Sequence, residues 1–225
     1  MLPLRDVNPS SRIPIVNYIL IAINIMAFVF QVLLGAEQQA FVYQFALIPA
    51  QMTSGIGIDD VMDVFTSMFM HAGLAHIGGN MLYLWIFGDN VEDAMGHGRF
   101  LLFYLTGGVV ASLAHIVTNP GSQIPTVGAS GAIAAVLGAY LVLYPQSRVV
   151  TLIFLGYFIR GTTVPAVIVL GLWFVLQLFQ GVVTLGAADV GGVAFWAHIG
   201  GFVAGLALAK VLAKRTPQYY EMPRW

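Results

Sequence analysis

Apolar residues along this chain fall into six long blocks, at about 15–34, 74–90, 100–117, 128–144, 163–185 and 193–212. A helix needs roughly 20 apolar residues to cross about 30 Å of hydrocarbon. The pattern therefore predicts an all-α polytopic membrane protein, a bundle of six transmembrane helices. Most blocks end where charge, Gly or Pro enters. Asp89 and Glu92 close the second, Asn119-Pro120 follow the third, Pro145 ends the fourth and Gly191-Gly192 precede the sixth. Two connecting stretches stay apolar. Residues 35–66, with Phe41, Val42, Phe45, Leu47 and Ile48, are expected to lie in the membrane interface as an embedded first loop. Residues 149–158 look similar but shorter. The organisation read from this is an N-terminal segment 1–14, a membrane domain 15–212 and a tail 213–225. The first block is longer than a signal-peptide core, and no small-residue cleavage site follows it, so it is expected to remain as an anchor.

Composition agrees with the pattern. The 225 residues are 59% hydrophobic and 8% charged, where a soluble domain carries about 25% charged residues. With no cysteine there is neither a disulfide framework nor a thiolate metal site, and a formal net charge of −1 gives no case for a nucleic-acid partner. Six spans put both termini on one side. With the termini cytoplasmic, the inner pieces carry Arg5, Arg12, Arg99, Arg148, Arg160, Lys210, Lys214, Arg215 and Arg224, all nine basic residues of the chain. The outer loops carry only acids: Glu37, Asp59, Asp60, Asp63 and Asp189. That is the positive-inside distribution, and five or seven spans would break it.

Polar groups within spans are costly and so are candidates for function. They are His76 and Asn80 in the second block, His115 near the end of the third, Ser130 at the start of the fourth and His198 in the sixth, with His71 just before the second. At about 1.5 Å rise per residue, Ser130 lies roughly 22 Å above the inner boundary, His76 roughly 20 Å and His198 roughly 18 Å. Three helices thus carry polar groups to one level, several ångströms below the outer face. The fourth block is short for a full crossing, so its N-terminus is expected to end inside the membrane, in a water-accessible cavity.

Ser130 sits in Gly128-Ala129-Ser130-Gly131, where a helix N-terminus offers unpaired N–H donors and favours negative charge. A plain helix cap is the competing reading of that serine. In the sixth block, Gly201 and Gly205 form a GxxxG face that Ala197 extends. The fourth block offers Gly131, Ala135 and Gly138 to match it. Close packing of the two would bring His198 to Ser130. The competing reading of His198 is a histidine bonded to a backbone carbonyl that only steadies the bundle. His76 and Asn80, at i and i+4, share a face and could donate to an oxyanion together with the Ser130 N–H. Interhelical hydrogen bonding is the alternative for both. A zinc site of His71, His76 and His198 finds no His-Glu-x-x-His motif and no carboxylate at that depth. With no Asp or Glu in a span near His198, the expected arrangement is a Ser–His dyad oriented by helix packing.

In combination, His71-x4-His76-x3-Asn80, Gly88-x3-Glu92-x3-Gly96, Gly128-Ala129-Ser130-Gly131 and Ala197-His198-x2-Gly201-x3-Gly205 resemble the rhomboid intramembrane proteases over roughly residues 60 to 212, in the six-helix bacterial form. The resemblance implies Ser130 as nucleophile, His198 as general base, and an oxyanion hole of His76, Asn80 and the Ser130 N–H. It implies structural or substrate-site support from His71, Glu92, Gly128, Gly131, Gly201 and Gly205. It implies cleavage of transmembrane segments of other proteins near the outer face of a bacterial inner membrane, without metal or cofactor. It further suggests a structural tie through Glu92, a first loop flanking substrate entry, a mobile cap at Gly186–Gly192 and the fifth span as a candidate lateral gate. Two positions depart from the pattern. Some members have Trp-Arg in the first loop where this chain has Met62-Asp63. Some have a Tyr one turn after the serine, stacked on the histidine, where this chain has Ala134. Two other readings are a non-catalytic relative that escorts membrane helices and a small transporter. The former is expected to lack the serine or histidine, and the latter to show inverted repeats.

Overall fold

The computed structural model describes residues 1–55, 57–156, 158–185 and 192–214. It is mostly helical, and each predicted block contains one long helix: α1 (Ile15–Leu33), α5 (Leu74–Met95), α6 (His97–Thr118), α7 (Ser130–Leu143), α8 (Ala166–Val183) and α9 (Phe195–Leu212). Among the described residues, α1, α6, α8 and α9 are long and apolar enough to cross a membrane. Helix α5 has 22 residues, but its last turns carry Asp89, Glu92 and Asp93. Helix α7 has 14 residues, a rise of only about 21 Å. It is enclosed by the other helices, and every residue from Gly131 to Tyr140 is buried.

The core lies where α5, α6, α7 and α9 meet, filled by Phe87, Phe100, Phe103, Tyr104, Leu137, Tyr140 and Phe202. Small residues set its closest approaches. A Cβ on Gly201 would overlap the Gly131 carbonyl, one on Gly205 the Ala135 carbonyl, and one on Gly138 the Phe202 carbonyl. Helices α7 and α9 therefore touch backbone to backbone along the two small-residue faces read from the sequence. Gly107 and Gly200 bring α6 equally close, against Ala135 and Ala114.

Connections sort into two groups. Leu47 pairs with Thr126, the Ala50 N–H donates to the Ser122 carbonyl and the Thr53 hydroxyl to that of Pro120. This joins the first loop, with its short helices α2 (Gln38–Phe45), α3 (Pro49–Ser54) and α4 (Ile58–Thr66), to the α6–α7 connection. At the other end, Ser11 bonds Asp93, the Val7 N–H donates to the Arg148 carbonyl, and the Lys214 N–H donates to that of Ala94.

The expectation of an all-α chain is corrected here. The stretch around residues 149–158 is built from strands: β2 (Arg148–Leu155) and β3 (Phe158–Pro165) make an antiparallel hairpin, and β1 (Leu2–Asp6) adds a third strand at the edge of β2. The physical reason is local composition. Val149, Val150, Thr151, Ile153, Thr162, Thr163 and Val164 are β-branched, and such residues favour a pleated surface.

The N-terminal segment clasps the ends of α5 and α7. The Asn8 amide donates to the Tyr140 and Ser147 hydroxyls at 3.0 and 2.7 Å, and the Tyr140 hydroxyl donates to the Asp6 carboxyl at 2.6 Å. Burial, aided by the nearby Asp89 charge, raises the Asp6 pKa from 3.8 to about 7. The folded state therefore keeps a proton that the unfolded chain releases, so the stability contributed by this group is full below pH 3.8 and is lost as pH rises towards 7. The Asp6→Asn variant is expected to flatten this dependence, read as melting temperature between about pH 5 and 8 in detergent.

Candidate active site

Gly128, with φ +130°, shapes the entry to α7. Its N–H donates to the Ser67 carbonyl at 2.8 Å. A Cβ built there would lie 2.8 Å from two ring atoms of His76 and 3.6 Å from the Asn80 amide nitrogen. Glycine is thus required both by the backbone angle and by the close approach of α5. The helix cap falls on Ala129, without a side-chain cap bond, and Ser130 is the first helical residue. The cap reading of Ser130 does not hold. Its hydroxyl is directed away from its own helix, to α9.

The Ser130 hydroxyl lies 2.8 Å from His198 Nε2. The other ring nitrogen, Nδ1, is 2.7 Å from the Gln177 Oε1 of α8. An amide oxygen only accepts, so Nδ1 carries the proton and donates to it. Nε2 is then the acceptor, and the Ser130 O–H donates to it. The Trp173 ring, one turn before Gln177, sits 5.7 Å from the His198 ring at 38°. Ala134, one turn after the serine, is fully buried, and an aromatic from a different helix stands beside the histidine.

His76, Asn80, Gly128, Ser130, Gly131 and His198 all line one cavity of about 1060 Å³. His115 reaches it too. Among the described residues lining it there is no Asp or Glu. The Asn80 Nδ2 is buried and has no hydrogen-bond acceptor. The Ser130 N–H belongs to the first turn of α7, where no intrahelical acceptor exists. Unpartnered donors beside a hydroxyl–imidazole pair form a place where negative charge would be stabilised.

The residues expected to support the site lie partly around this centre and partly at the far end of α5. His71 is fully buried and meets the His76 ring edge-on at 5.1 Å. Its backbone N–H donates to Gln31 Oε1 at 3.0 Å. Glu92 is buried away from the cavity. It accepts from the N–H groups of Val16 and Asn17 at 3.0 and 2.7 Å, holding the start of α1, and it pairs with His97. Gly131, Gly201 and Gly205 act through the α7–α9 contact. Residues 186–191 of the expected cap lie outside the described residues.

Sequence reasoning missed Gln177 and Trp173. The available signal was a pair of amides, Gln177 and Gln180, inside an otherwise apolar run, the first of them at i+4 from Trp173. It also passed over Asn17, Asn24 and Gln31, spaced by seven in α1 and all fully buried.

A family model for the Rhomboid domain matches residues 59–215. Rhomboid protease GluP of Bacillus subtilis (strain 168) is 32% identical over 202 residues, which is 88% of this chain and 35% of that protein. Presenilin-associated rhomboid-like protein A, mitochondrial, of Danio rerio is 30% identical over 162 residues, 69% of this chain and 41% of that protein. Rhomboid protein 1, mitochondrial, of Saccharomyces cerevisiae is 30% identical over 97 residues. The chain covers 35% and 41% of the length of the first two.

Proposed function

The chain belongs to the rhomboid family and is a multi-pass membrane protein; from that premise we propose that it is an intramembrane serine endopeptidase acting on transmembrane segments of other proteins. The observation that carries this reading is the 2.8 Å contact between the Ser130 hydroxyl and His198 Nε2 in a cavity that also holds an unpartnered Asn80 amide.

In the proposed reaction, His198 Nε2 takes the Ser130 proton as Oγ attacks the scissile carbonyl carbon. The carbonyl oxygen becomes an oxyanion facing the Asn80 amide, His76 and the Ser130 N–H. His198 then protonates the departing amine, the C–N bond breaks, and an acyl-enzyme remains. Water from the cavity gives a proton to His198 and attacks the ester, and Oγ leaves with that proton. No step calls for a metal or cofactor.

The reading includes six spans, with segment 1–14 and tail 213–225 cytoplasmic, membrane domain 15–212 between them, and cleavage near the outer face. It is supported by the nine basic residues, all of which the six-span alternation assigns to one side. The proposed location is the bacterial inner membrane. The experiment is quantitative mass spectrometry of membranes expressing wild type or Ser130→Ala. The expected result is a set of membrane-protein fragments that appear with wild type and vanish with the variant. Identical fragment sets would overturn the reading.

A further inference from the structure

We propose that Gln177 is the positioning residue that readies His198, and that it makes the reaction depend on the seating of α8 against α9. This rests on the endopeptidase reading above. Gln177 is 9% exposed and its Oε1 lies 2.7 Å from His198 Nδ1. Because that oxygen only accepts, it selects the Nδ1–H tautomer and turns the Nε2 lone pair towards the Ser130 hydroxyl at 2.8 Å. In a hydroxyl–imidazole pair this is the place a carboxylate occupies in a Ser-His-Asp arrangement. No carboxylate lines the cavity among the described residues, and His76, His115 and Tyr83 are the other titratable groups there. An uncharged amide fixes the tautomer without adding a charge to a site inside the membrane.

The supporting contacts come from the same helix face. Trp173 stands beside the His198 ring, and Phe174 stacks on Phe202, one turn after His198, at 4.4 Å. The Trp196 indole N–H donates to the Gly181 carbonyl at 3.1 Å. Helix α8 is otherwise peripheral. Leu172, Val175, Leu176 and Phe179, on its other face, are all exposed. The acceptor that orients the base therefore rides on a helix held from one side. An outward shift of α8 by a single ångström stretches a 2.7 Å bond beyond about 3.2 Å. A segment that parted α8 from α9 would release His198, and the base is ready again once α8 reseats.

The test compares the full-length protein in detergent with its Gln177→Leu and Gln177→Glu variants. Three quantities are read: the rate of fluorophosphonate labelling as a function of pH, kcat and KM on a transmembrane-segment peptide, and the melting temperature. Gln177→Leu is expected to lower kcat and labelling on the order of 10²-fold, with KM and melting temperature nearly unchanged. Gln177→Glu is expected to restore most of the rate. It should also move the acidic limb of the profile to higher pH, since a carboxylate stabilises the imidazolium. Wild-type rate and profile in Gln177→Leu would overturn the proposal, as would a Glu variant no better than Leu. Should Gln177→Leu fold poorly, ¹⁵N-histidine spectra of the wild type decide: an Nδ1–H signal for His198 supports the proposal, and an Nε2–H signal overturns it. A wild type that takes no label at Ser130 would instead remove the endopeptidase reading itself.

Discussion

Replacing Ser130 with alanine is expected to lower cleavage of a transmembrane substrate by about 10⁴-fold or more, and His198→Ala by a similar factor. The double variant should be no worse than either single one. The hydroxyl and the imidazole, 2.8 Å apart, act as one unit: without the base the serine is a weak nucleophile, and without the serine the base has nothing to deprotonate. Folding should survive each change. Ser130 begins α7 without serving as its side-chain cap, and losing one side-chain hydrogen bond costs about 1 kcal/mol. Steady-state kinetics beside a melting curve checks both halves. Costs of the two single changes that multiply in the double variant would mean that the residues contribute separately.

The second large effect is structural. Gly205→Val is expected to abolish the folded monomer or lower its melting temperature by about 10 °C or more. A Cβ at this position would overlap the carbonyl of Ala135, and behind that oxygen lie the Ala135 carbonyl carbon and Cα at 2.8 and 2.9 Å. No flexible side chain can give way, so α7 and α9 must separate. Overpacking alone costs about 1–3 kcal/mol, and separation adds the loss of the buried contact between the helices. The control is Gly171→Ala on α8, where an added Cβ meets nothing within 4 Å. It should be neutral or slightly stabilising, because Ala favours helix over Gly. Size-exclusion profiles and thermal melts of the two variants test this. A folded Gly205→Val protein with wild-type melting would contradict the packing described here.

Much of the bundle was legible because the signals are local. A hydrophobic block near 20 residues reports a long helix wherever its partners lie, and each predicted block contains one. The short α7 could be read from Ser130 and Pro145, and its contact with α9 from the spacing of Gly131, Ala135 and Gly138 against Gly201 and Gly205. These residues act through their smallness, which sequence displays directly.

What escaped the sequence depends on remote pairing. The hairpin of β2 and β3 is apolar enough to resemble an interfacial loop, and its third strand comes from residues 2–6, far away in the chain. The orienting amide was hidden in a similar way. Gln177 lies in an apolar run whose periodicity says nothing about which residue meets His198. The expectation of a pair held by helix packing alone is thus refined. Packing of α7 and α9 sets the distance from Ser130 to His198, while Gln177 and Trp173 of α8 set the ring's tautomer and tilt. The structural tie expected of Glu92 runs to the start of α1, where its carboxylate accepts from the N–H groups of Val16 and Asn17.

The central claim is that Ser130 is an activated nucleophile. Its most direct test is intact and peptide-level mass spectrometry after treating the detergent-solubilised protein with a fluorophosphonate. A single adduct is expected, on the peptide containing Ser130, absent from Ser130→Ala and strongly reduced in His198→Ala. An adduct on another residue, or equal labelling of wild type and Ser130→Ala, would contradict it.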